Sequence, residues 1–174
     1  MKILDAGTVQ LTNTDVLLWI RSKRAQHEAR EAAAAAASSR RGRASAHGPA
    51  NYMRALRNHE SVLASTIYPY TTNPDAYESY EAGMQKLEDL IFERVVSHVA
   101  PPETVKTVKQ KKAFLGTKCL SQSEFLMVHN LAPKTMEQLT AVLDRAEDRW
   151  TPEELETLLG CIWEVYRYNE QRPA

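Results

Sequence analysis

The side chains in this 174-residue chain best suited to hold a metal or to act as nucleophile or base are five histidines and two cysteines. They are His27, His47, His59, His98, His129, Cys119 and Cys161. His27-Glu28 and His59-Glu60 each open an HExx pattern. A zinc-protease helix needs a second histidine four residues after the first, and neither pattern has one. Cys119 and His129 stand ten residues apart with no further ligand nearby, so His129 is expected to be a structural, hydrogen-bonded histidine. No G-x-S-x-G elbow positions a serine. The six glycines are scattered and form no phosphate loop. The paired carboxylates Glu153 and Glu154 fall in the first turn of an expected helix, where they complement its dipole. These residues predict no catalytic site, no metal and no cofactor.

One dense basic run remains, "KTVKQKK" from Lys106 to Lys112. On a helix Lys109 and Lys112 share a face, and Lys106 and Lys111 spread around it. A solvated face is the plainer reading. The functional one is a phosphate-tracking strip, with Lys106, Lys109 and Lys112 as candidate nucleic-acid contacts. The aromatic interleaving typical of single-strand binders is absent from the run.

The elements that would position these groups read as helices. Hydrophobic residues make up 43% of the chain and charged ones 25%, the ordinary mix of a globular protein. Lys+Arg and Asp+Glu are equal at 22 each, but the basic excess sits in the N-terminal part. Two distant cysteines make no disulfide framework, and no stretch approaches the ~18 apolar residues of a membrane span. The opening "MKILDAGTVQ" lacks the apolar core of a secretory signal. A reduced chain of the nucleus or cytosol is expected.

Thr12 and Asp15 match a capping box and start a helix near Asn13. Val16, Leu17 and Ile20 form its apolar stripe, and its rear half rests on alanine propensity. Ser38–Ala50 holds Arg40, Arg41 and Arg43 but no large apolar residue, and reads as a flexible linker. Two further helical periods follow, one through Tyr52, Leu56, Leu63 and Ile67, the other through Met84, Leu87, Ile91 and Val95. A helix is expected after Pro102, stopping near Gly116. Ser121–Glu124, Thr135–Gln138 and Thr151–Glu154 read as three capping boxes in succession. Met136, Leu139, Leu143 and Ala146 line one expected helix; Leu155, Leu158, Leu159, Ile162 and Tyr166 line the next. Between the first two boxes, Asn130 suits a left-handed helix end and Pro133 pushes Ala132 out of helical geometry.

The stretch from Leu120 to Ile162 resembles the HRDC-like helical domain of RNA polymerase stalk subunits. The residues that carry the likeness are Leu120, Ser121, Glu124, Asn130, Pro133, Thr135, Arg149, Thr151 and Glu154. The opening "MKILDAGTVQLTNTDVLLWI" looks like that of the RNA polymerase III member. The resemblance implies an all-α fold, an HRDC-like helical bundle whose extended N-terminal arm and helix pack on a partner subunit. It implies a non-catalytic subunit, located in the nucleus, that heterodimerises with an elongated OB-fold stalk subunit. Polymerase core, an initiation factor and nascent RNA are the further partners it implies. Ile3, Leu4, Leu11, Val16, Leu17, Trp19 and Ile20 are then the expected partner-binding residues. The organisation that follows is 1–37 arm and helix, 38–50 linker, 51–102 helical segment with a lineage-specific insertion, and 103–170 HRDC-like domain. An autonomous HRDC-type nucleic-acid-binding accessory module is the alternative. It predicts a basic domain face, whereas the third from residue 103 onward is near neutral.

Overall fold

A computed structural model describes residues 10–38, 50–102 and 104–172. The structure is an all-α helical bundle, with no strand among the described residues. It divides into two compact units, Met1–Ile67 and Tyr68–Ala174. The segment expected to run from 51 to 102 is therefore shared between them. Of the linker, residues 39–49 lie outside the described residues, as do Ile3 and Leu4 of the arm.

The first unit pairs α1 (Asn13–Ser38) with α2 (Ala50–Leu63). The start of α1 is set by Thr12. Its hydroxyl accepts from the Asp15 N–H at 3.1 Å, and the Asp15 carboxylate accepts from the Thr12 N–H at 2.9 Å. Ile20, Met53 and Leu56 form the core, with Val16 and Leu63 packed against it. Past its apolar stripe α1 is tied to α2 by side-chain pairs as far as His27. Arg24 is bound to the Glu60 carboxylate, Arg21 reaches the same group at 3.3 Å, and His27 meets Tyr52 edge-on at 5.5 Å. The capping box and apolar stripe were legible locally; these cross-helix pairs needed the register of the hairpin.

The second unit holds α3 (Pro69–Thr72), a 3-10 turn (Pro74–Tyr77), α4 (Tyr80–Arg94), a second 3-10 turn (Val96–His98) and α5 (Val108–Thr117). It continues through α6 (Gln122–Leu131), α7 (Met136–Val142), α8 (Ala146–Arg149) and α9 (Pro152–Tyr166). The central element is α9, which packs on α4 and α7. Leu158, Ile162 and Tyr166 on its inner stripe are completely buried. Each such side chain contributes about 1.5–3 kcal/mol on removal from water. The close approach of α4 depends on Gly83, where an added Cβ would lie 3.1 Å from the Tyr166 hydroxyl.

Four details differ from the sequence expectation. The helix expected directly after Pro102 begins at Val108, because Thr107 and Gln110 form a full capping box there. Lys106 accordingly precedes that helix. At Thr135 the box is half formed: its hydroxyl accepts from Gln138 N–H at 3.4 Å, but the Gln138 side chain turns to the Lys134 N–H at 2.8 Å. The left-handed residue at the α6–α7 corner is Ala132 (φ 36°), not Asn130, which stays within α6. Arg167 holds this corner, donating to the carbonyls of Ala132 at 2.5 Å and Leu131 at 3.1 Å. Lastly, the single helix expected through Met136 and Ala146 ends at Val142 and resumes as α8 after a left-handed Arg145. The Asp144 N–H freed by that break donates to Glu124 at 2.8 Å.

Candidate partner-binding surface

At ~100° per residue a helix cannot turn four consecutive apolar side chains to one face, and Leu17-Leu18-Trp19-Ile20 is such a run. The structure divides it. Leu17 and Ile20 are buried in the chain and Val16 is half-buried beside Ile20. Leu18 and Trp19 are 57% and 51% exposed, and Leu11 just before the helix is 62% exposed. Of the seven residues expected to meet a partner, only Leu11 and Trp19 are exposed large apolar groups among the described residues. Leu18, which lies outside the apolar stripe read from the sequence, joins them. The ammonium of Lys23 lies 5.9 Å from the Trp19 ring centroid, at the edge of this patch.

The second unit directs its chemistry inward. The Glu124 carboxylate receives the N–H groups of Ser121 (2.7 Å) and Asp144 (2.8 Å) and the guanidinium of Arg149 (2.5 Å). Arg149 also donates to the carbonyls of Thr117 (3.0 Å), Cys119 (2.8 Å) and Asp144 (2.9 Å). Burial works to raise the Glu124 carboxyl, but these hydrogen bonds outweigh it and hold the group below the ordinary carboxylate range. A second inward pair joins Lys118 to Glu154 at 2.6 Å, with Trp150 5.7 Å from the ammonium. His129 is buried among Tyr77, Tyr80 and Tyr166, its Nδ1 3.4 Å from the Tyr166 hydroxyl. Burial pushes the hydroxyls of Tyr77 and Tyr166 far above the ordinary phenol range, so they stay neutral.

Glu124 and Arg149 line an open cleft with Ser121 and Asp144, and both are held in the hydrogen bonds just given. Among the described residues no cluster of His, Cys, Asp or Glu could hold a metal ion. No described helix is long and apolar enough to cross a membrane. Lys106, Lys109 and Lys112 are exposed on or beside α5. The residues that carried the family resemblance are structural: Ser121 and Thr151 cap helices, Glu124 and Arg149 tie four segments together, and Pro133 is fully buried.

The motif residues Ser121, Glu124, Arg149 and Thr151 thus serve the geometry of an all-α bundle, and exposed apolar side chains stand at the start of its first helix. A family model for RNA polymerase Rpb4 matches residues 10–166, and the chain belongs to that family. It is thus a non-catalytic RNA polymerase stalk subunit, associated with the polymerase and with a partner stalk subunit. No curated protein and no solved structure gives a significant match.

Proposed function

We propose that this chain is the stalk subunit of RNA polymerase III, pairing with an OB-fold stalk subunit in the nucleus and supporting initiation through an initiation-factor contact. The observation that carries the pairing is the exposed apolar group Leu11, Leu18 and Trp19 at the start of α1. These side chains sit on the first unit, whose buried core is small. Burying them on a partner would remove large apolar surface from water at about 25 cal/mol per Å². The polymerase III assignment is supported by the likeness of residues 1–20 to that subunit's opening.

The test is affinity recovery of the tagged chain from nuclear extract, followed by identification of the largest polymerase subunit that accompanies it. Polymerase III is expected. Recovery of polymerase II alone would overturn that assignment while leaving the stalk role intact. A Leu18→Asp/Trp19→Asp variant should lose the partner subunit at least tenfold with its thermal melt unchanged. Equal recovery would remove this patch from the interface.

A further inference from the structure

Helix α5 is capped at its start and holds no fully buried residue. It has a full capping box at Thr107 and Gln110, yet none of its residues is buried. Its attachment is confined to one end. Phe114 and Leu115 are half-buried, Arg149 binds the Thr117 carbonyl, and Lys118 is fixed by Glu154. The other end carries Lys106, Lys109, Lys111 and Lys112, all exposed and none in an ion pair among the described residues. Between Thr104 and Thr117 there is no Asp or Glu.

The rest of the unit has the opposite character. Outside Thr104–Thr117, residues 68–174 hold eight Lys/Arg against seventeen Asp/Glu. A polyanion is repelled by that body and attracted by this one helix, so charge alone orients the encounter. An isolated stretch of helix that contributes no core has its side chains free for an outside ligand.

We infer that α5 is a sequence-independent contact to the phosphate backbone of duplex DNA, made through Lys106, Lys109, Lys111 and Lys112. Four point charges without a planar fork suit phosphates and read no bases. From Lys109 to Lys112 α5 rises about 4.5 Å, and Lys106 lies just before the helix. Over that rise a duplex presents about three phosphates, one per ~1.7 Å. A single strand offers half that density, and its binders add aromatic platforms for the bases. No aromatic residue lies between Lys106 and Lys112.

The experiment measures anisotropy of a labelled 20-base-pair duplex with the full chain from 50 to 200 mM salt. Lys109→Gln/Lys111→Gln/Lys112→Gln is compared with Arg54→Gln/Arg57→Gln, a pair of exposed arginines on α2. Gln and Lys have similar helix propensity, so α5 should persist, which circular dichroism checks. The lysine variant is expected to bind at least tenfold more weakly at 50 mM salt. Its plot of log K against log salt should be shallower by about 2 to 3, at ~0.9 for each phosphate that is no longer neutralised. The arginine variant should change the slope less. An unchanged slope in the lysine variant overturns the inference. So does tighter binding of a single-stranded RNA of equal length through the same lysines.

Discussion

Up to Ile67 the chain holds ten Lys/Arg against five Asp/Glu; from Tyr68 onward it holds twelve against seventeen. The two units also use charge differently. In the first, Arg21, Arg24, Glu28 and Glu60 pair on the outside of a hairpin whose core is Ile20, Met53 and Leu56. In the second, the buried ions Glu124 and Lys118 are bound by the half-buried Arg149 and Glu154, and Arg149 also binds backbone carbonyls. Enclosed ions must be satisfied or they destabilise, so they fix a single arrangement of α5, α6, α8 and α9. Surface ions contribute a few tenths of a kcal/mol and tolerate many arrangements. The two units thus divide the labour. The second is organised by its internal ion pairs, and the first holds a small apolar core beneath exposed Leu18 and Trp19.

The largest effect that could break this division is at Arg149. Arg149→Ala leaves a buried carboxylate without its cation and should destabilise the second unit by about 3–5 kcal/mol, seen as a lower urea midpoint. A loss below about 1 kcal/mol would show that the enclosed network does not organise the unit. Leu158→Ala should cost about 2–5 kcal/mol by the same measurement, whereas Leu18→Ala on the hairpin should stay within ~0.5 kcal/mol. Acidification sharpens the picture further. The Glu124 carboxyl is held below its ordinary value of 4.5. The stability it confers is therefore present above that value and lost as pH falls through the lower folded value. Thermal melts between pH 7 and pH 3 should show this loss, and Glu124→Gln should flatten the dependence. Next in size come the caps. Thr151→Ala should cost about 1 kcal/mol, and Thr135→Ala less, because only one of its two box hydrogen bonds is made. Smallest is the salt effect: from 0.1 to 1 M NaCl the contribution of Arg21–Glu60 should fall by tenths of a kcal/mol, read from Arg21→Ala at both salts.

What could be seen in advance follows from how local its cause is. The caps at Thr12, Ser121 and Thr151 were legible because a side chain and an N–H three residues later suffice to make them. The cap at Thr107 was equally local, and "TVKQ" spells it, but the proline pair before it drew the helix start too early. The α9 stripe was legible from its period. The break after Val142 was not, because neither glycine nor proline lies between Met136 and Arg149. Its stabilising group is Glu124, 20 residues earlier in the chain. The left-handed Ala132 was hidden for the same reason. Asn130 has the better intrinsic preference, but Arg167, 35 residues on, binds the carbonyl of Ala132. As for the exposed apolar side chains of α1, the run Leu17–Ile20 holds more of them than one helix face can bury. Which two face outward depended on where Met53 and Leu56 came to lie.

The clamp on Ala132 bears on synthesis. Helix α9 ends at Tyr166, so every helix from α1 to α9 has been translated before Arg167 is added. A chain released from the ribosome just short of that residue carries the sequence of all these helices. It lacks the guanidinium that fastens the turn between α6 and α7. Nascent chains should thus acquire protease resistance around residues 131–135 only after codon 167 has been read and its product has cleared the exit tunnel.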